Sequence, residues 1–138
     1  LHDALPIFTD HLFTPDVFFP MPALSLYVHI PFCSRKCRYC DFYSIPGDRK
    51  TVDRYIDALL LEWRMRREAL GDISLTTLYC GGGTPSLLSA KQWERLGTGL
   101  LQGVRTDSLR EWSIECNPDS FSPECARVID AAPNRRRS

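Results

Sequence analysis

LSLYVHIPFCSRKCRYCDFYS, from Leu24 to Ser44, carries the two patterns on which the fold is read. Leu24, Leu26, Val28 and Ile30 alternate with Ser25, Tyr27 and His29. Successive side chains of an extended chain point to opposite faces, so the alternation predicts a strand with one apolar and one polar row. Cys33, Cys37 and Cys40 follow in a C-x3-C-x2-C spacing. They lie in a segment from Pro31 to Arg49 that is rich in Gly, Cys and charge and is expected to be loop.

Beyond that loop, Ile56, Leu59, Leu60, Trp63 and Leu70 recur at helical spacing in a charged background, which predicts a long amphipathic helix ending near Gly71. Ile73 to Cys80 is rich in β-branched and aromatic residues and predicts a second strand that breaks at Gly81, Gly82 and Gly83. A second helix is expected next. Ser89 is its N-cap, Gln92 completes a capping box, and Leu88 and Trp93 flank the cap as a hydrophobic staple, with Leu96 and Leu100 continuing the face. Gly97 and Gly99 are unfavourable inside it. Glu111 to Cys116 predicts a third strand, with Trp112, Ile114 and Cys116 on one face and Ser113 and Glu115 on the other, breaking at Asn117-Pro118. A third helix is expected from Ser122, with Pro123 at its first position.

Strand and helix thus alternate three times, with no other repeat, which predicts an α/β fold in which a parallel sheet is covered by helices. Ligands in such folds bind beyond the carboxyl ends of the strands. Cys33 to Cys40, Gly81 to Pro85 and Glu115 to Pro118 all fall there, so the three segments are expected to share one site.

Three cysteines in one short loop fit a cubane iron–sulfur cluster with one iron left without a protein ligand. An open metal position serves an exchangeable ligand, here the amino and carboxylate groups of S-adenosylmethionine. Two other readings stand beside this one. His29, four residues before Cys33, could complete a Cys3His zinc site, although a strand would point it to the same side as Tyr27. The three thiols could also be unrelated. Cys80, Cys116 and Cys125 sit on strand or helix patterns and are expected to be buried small hydrophobes.

The composition of the 138 residues, 43% hydrophobic and 25% charged, is that of an ordinary globular domain. Seventeen basic residues balance seventeen acidic ones, so no net field favours nucleic acid or an anionic membrane. Every hydrophobic run is interrupted well short of the roughly 20 apolar residues of a membrane span. With no signal peptide legible and three of six cysteines in a metal-ligand spacing, a reducing cytoplasm is expected.

Both ends read as foreign to the domain. LHDALPI, residues 1 to 7, is what one frame of a common sequencing adapter encodes, residues 8 to 20 read as translated upstream sequence, and Met21 is the expected start. Residues 133 to 138 offer only Pro, Asn, Arg and Ser where another buried strand should come, so a truncated reading frame is expected.

The quoted stretch, together with YCGGGTPSLL from Tyr79 to Leu88 and SIECNPDSFSPE from Ser113 to Glu124, closely resembles the oxygen-independent coproporphyrinogen III oxidase family of radical-SAM proteins, which includes related heme chaperones. The likeness covers nearly all of residues 21 to 132. It implies the N-terminal half of a radical-SAM (βα) barrel, with about three of its six βα units, and so an open strand edge and an uncovered apolar face, both aggregation hazards. The isolated fragment is expected to be insoluble or poorly folded, and inactive.

The resemblance makes Cys33, Cys37 and Cys40 the ligands of a [4Fe–4S] cluster. It assigns Tyr27 and Tyr39 to contacts with S-adenosylmethionine, Gly82, Gly83 and Thr84 to its amino group and neighbouring atoms, and Glu115 to its ribose hydroxyls. Reductive cleavage would yield methionine and a 5′-deoxyadenosyl radical, which requires an electron donor. The family's oxidases carry a further cysteine two positions after the triad. Here Asp41-Phe42 follows Cys40, the form typical of the chaperones, which bind heme and pass it to apo-proteins.

Overall fold

The computed structural model describes residues 21–34 and 44–131. In chain order it has β1 (Ala23–Ile30), α1 (Arg49–Leu70), β2 (Ser74–Gly82), a 3-10 turn (Pro85–Leu87), α2 (Ala90–Leu101), β3 (Glu111–Ile114) and α3 (Pro123–Asp130). The sheet order is β1-β2-β3 and both pairings are parallel. This is the expected α/β arrangement. No helix among the described residues is long and apolar enough to cross a membrane.

The apolar row of β1 faces the core. Val28 and Ile30 are buried there with Leu75, Leu78 and Cys80 of β2, Val52, Ile56 and Trp63 of α1, and Trp93, Leu96 and Leu100 of α2. Caps set the helix starts. Asp48 accepts from the Thr51 amide at 2.8 Å, so α1 begins at Arg49, where the loop was expected to end. Ser89 and Gln92 form the reciprocal capping box of α2, and Ser122 caps α3 with Pro123 in its first turn.

Several expectations are corrected. β2 runs on to Gly82, because Gly81 and Gly82 pair through their backbones with His29 and Ile30, which needs no side-chain pattern. β3 stops at Ile114, and Cys116 beyond it is exposed instead of buried. Leu70, in the last turn of α1, is half exposed. The glycines of α2 are close-approach positions: a Cβ on Gly97 would lie 3.1 Å from the Trp112 ring, and one on Gly99 2.6 Å from Leu60.

The uncovered face of the sheet also differs from the expected apolar one. Beyond a register shift at Leu24/Ser25, where the Thr76 hydroxyl donates to the Leu24 carbonyl at 3.0 Å, the pairs Ser25 with Thr77, Tyr27 with Tyr79 and His29 with Gly81 line up across the strands. This row is polar and aromatic, and it ends in Glu115.

α1 and α2 are joined at a helix end. The last carbonyls of a helix lack intrahelical partners, and that of Leu100 accepts the buried Trp63 indole N–H at 2.9 Å. Trp63→Phe keeps an aromatic ring but removes the donor. It should lower stability by about 1–3 kcal/mol, read as a lower urea midpoint by circular dichroism with the slope unchanged. An unchanged midpoint would show that the bond is immaterial.

Candidate functional site

The carboxyl ends of the strands are held together by backbone bonds. Gly83 donates its amide N–H to the Ile30 carbonyl at 2.8 Å, and Thr84 to the Phe32 carbonyl at 2.7 Å. Phe32 is buried, bridges to Ile45, and lies edge-on to Tyr55 with ring centroids 5.3 Å apart. Ile45 donates to the Pro31 carbonyl at 2.9 Å and accepts from Cys33 at 3.3 Å, which pinches the base of the cysteine loop. Tyr55 on α1 completes the clamp by donating to the His29 carbonyl at 2.6 Å.

Cys33 therefore emerges just past β1, where the Thr84 hydroxyl donates to its Sγ at 3.7 Å. Cys37, Tyr39 and Cys40 lie outside the described residues. Glu115, one residue past β3, has both carboxylate oxygens engaged: Oε1 accepts from the Tyr79 hydroxyl at 2.6 Å and Oε2 from the Gly82 amide at 3.0 Å. Tyr79 stacks on Tyr27 at 5.8 Å between centroids, with 23° between the rings, and the Tyr27 hydroxyl lies 2.9 Å from His29 Nδ1. Gly82, Gly83, Thr84, Glu115 and Cys33 thus lie together at the carboxyl ends of the strands, with Tyr27 joined to Glu115 through Tyr79.

The glycines serve this internal packing. Gly82 has φ +117, open to glycine at little cost, and a Cβ on it would sit 2.6 Å from the His29 ring. On Gly83 it would strike the Phe32 carbonyl oxygen at 2.6 Å, and on Gly81 the Tyr79 ring at 2.7 Å and the Glu115 carboxyl at 2.9 Å. The amides of Gly82, Gly83 and Thr84 are all committed, and the Thr84 carbonyl accepts the Leu87 amide at 3.0 Å.

Residues 27–136 match the family model described as Radical SAM superfamily. The chain belongs to the radical SAM superfamily. Heme chaperone HemW of Lactococcus lactis is 42% identical over 112 residues, covering 80% of this chain and 28% of the relative. Oxygen-independent coproporphyrinogen III oxidase of Salmonella typhimurium is 40% identical over 101 residues, covering 72% of this chain and 22% of the relative. Among solved structures, the Escherichia coli radical SAM enzyme coproporphyrinogen III oxidase (HemN) superposes with a TM-score of 0.72 at 32% identity, over 83% of this chain and 27% of that one. The chain thus spans less than a third of the length of these relatives, and its three-stranded parallel sheet fits part of a radical SAM barrel.

Radical SAM membership implies an iron–sulfur cluster and S-adenosylmethionine; among the described residues the Cys33 sulfur at the loop mouth and the Glu115 carboxylate at the strand ends are donors whose chemistry fits them.

Sequence reasoning missed Tyr79, Tyr55 and the link from Ser86. The buried Ser86 hydroxyl accepts the Asn117 amide at 2.9 Å and lies 2.6 Å from the Ser120 hydroxyl, tying the second loop to the third. For Tyr79 a signal was present in the sequence. It stands two residues after Thr77 and two before Gly81, on the row of β2 that faces away from the buried Leu78 and Cys80, and so on the face shared with Tyr27.

The Glu115 bond holds the Tyr79 phenol above its usual value of 10.0. The donated hydrogen bond is present below that value and is lost as pH rises through the raised one. Burial pushes the Cys80 thiol up to about 12, and also raises the exposed Cys116. Burial also raises the Tyr55 phenol, so absorbance titration at alkaline pH should show two late-ionising phenols, of which Tyr79→Phe removes one; an unchanged titration curve would contradict the pairing. With a thiol-alkylating reagent near neutral pH, Cys116 should react well before Cys80, and equal rates would refute these placements.

Proposed function

We propose that this chain supplies the cluster- and S-adenosylmethionine-binding part of a cytoplasmic heme chaperone, a protein that binds heme and transfers it to apo-proteins. The observation that carries the choice is Cys40-Asp41-Phe42, in which phenylalanine stands two positions after the triad where the oxidases carry a further cysteine. The 42% identity to a heme chaperone supports it.

In this reading Cys33, Cys37 and Cys40 hold three irons of a [4Fe–4S] cluster as thiolates and leave the fourth for the amino and carboxylate groups of S-adenosylmethionine. Held there, a reduced cluster would supply an electron to the sulfonium. Gly82, Gly83 and Thr84 accept from the amino group, and Tyr27 and Tyr39 contact the ligand. Glu115 accepts from ribose hydroxyls. The external partners are heme, an electron donor and heme-accepting apo-proteins. Nucleic acid is not expected, given the balanced charge.

The likeness to the Escherichia coli oxidase favours a second reading, radical decarboxylation of coproporphyrinogen III by the full-length protein. Heme titration against coproporphyrinogen turnover separates the two: saturable heme binding without turnover supports the chaperone, and turnover overturns it. At the level of the chain, anaerobic reconstitution with iron and sulfide should give a brown species with broad visible absorbance that Cys37→Ser abolishes. A colourless product that binds zinc through Cys33, Cys37, Cys40 and His29 would contradict the cluster.

A further inference from the structure

Thr84 offers a second polar group besides its backbone, and it faces the cysteine. Its hydroxyl donates to Cys33 Sγ at 3.7 Å. The backbone that carries the side chain is held in place. The Thr84 amide is fixed on the Phe32 carbonyl at 2.7 Å, the preceding Gly83 is fixed on Ile30 at 2.8 Å, and Pro85 behind it is buried. On the other side Cys33 is bonded through its own amide to Ile45 and follows the fully buried Phe32. The hydroxyl and the sulfur are thus brought together by neighbouring residues that do not depend on any ligand.

We propose that Thr84 is a positioning residue that tunes the reduction potential of the cluster by donating its hydroxyl hydrogen to the Cys33 thiolate. The inference rests on the reading of Cys33 as a cluster ligand. Hydrogen bonds to cluster sulfurs are among the determinants of iron–sulfur potentials. One-electron reduction takes the cluster from its oxidised to its reduced state, adds one negative charge shared with the ligand sulfurs, and is driven in the test by dithionite as electron donor. A hydroxyl pointed at one of those sulfurs stabilises the more negative state, so it raises the potential.

The test is a redox titration of the reconstituted 138-residue chain, followed by the electron paramagnetic resonance of the reduced cluster, for the wild type, Thr84→Val and Thr84→Ser. Valine keeps the shape and removes the donor, whereas serine keeps the donor. Thr84→Val should disfavour reduction by roughly threefold to tenfold, which for one electron is about 28 to 59 mV toward more negative potential, and Thr84→Ser should stay near the wild type.

Equal potentials in all three, with iron content intact, would overturn the proposal while leaving the cluster reading standing. Equal shifts in valine and serine would also overturn it, since shape and not the hydroxyl would be responsible. If Thr84→Val takes up no cluster, the wild type and Thr84→Ser decide by pulsed resonance after exchange into deuterated water: a matching coupled exchangeable proton in both supports the bond, and its absence from both refutes it. A wild-type chain that is soluble and folded by circular dichroism yet binds no cluster would overturn the underlying reading and this inference together.

Discussion

The site depends on one constraint, the parallel pairing of β1 with β2 carried past the last residue of each strand. The ladder from Ala23 to Ile30 continues as Gly83 to Ile30 and Thr84 to Phe32, so the segment leading to Cys33 and the glycine turn are stitched together by backbone alone. Backbone bonds at a strand end need chains that approach closely, and Gly83 meets that need, because any Cβ there would collide with the Phe32 carbonyl. Glu115 then fastens the third segment by accepting the Gly82 amide, and Ser86 fastens it again through Asn117. Each loop is thereby fixed to another, which is the condition for a preorganised site.

Among the described residues the sheet is covered on one side only, and the two sides are of different chemistry. The helix side holds the aliphatic core and the indoles of Trp63 and Trp93. The other side presents Tyr27 stacked on Tyr79, the His29 imidazole and the Glu115 carboxylate. In a radical SAM barrel the corresponding surface faces inward, which accounts for exposed tyrosines that make ordered contacts with one another and with Glu115. Tyr79 joins the aromatic wall to the carboxylate, and so to the third loop.

Much of this was legible in the residues. The period-two row of Leu24 to Ile30, the Ser89/Gln92 capping box and the Ser122-Pro123 start are local patterns, and local patterns survive into the structure because nothing tertiary competes with them. The convergence of three loops was readable from the alternation of strands and helices. What was not legible depends on partners distant in sequence. β2 reaches Gly82 because of its neighbour, β3 stops early and exposes Cys116, and Gly97 and Gly99 persist in a helix because Trp112 and Leu60 crowd them. The Tyr79–Glu115 bond spans 36 positions and has no local signature. Cys37, Tyr39 and Cys40 rest on spacing and resemblance, since they lie outside the described residues.

The central claim is that the three thiolates leave one iron open for S-adenosylmethionine. The most direct measurement is Mössbauer spectroscopy of the chain reconstituted anaerobically with iron-57, before and after S-adenosylmethionine is added. A site held by Cys33, Cys37 and Cys40 predicts that about one iron in four changes its isomer shift on addition, as a single iron gains oxygen and nitrogen ligands. Four irons whose signals stay the same, or no cluster signal at all, would contradict it.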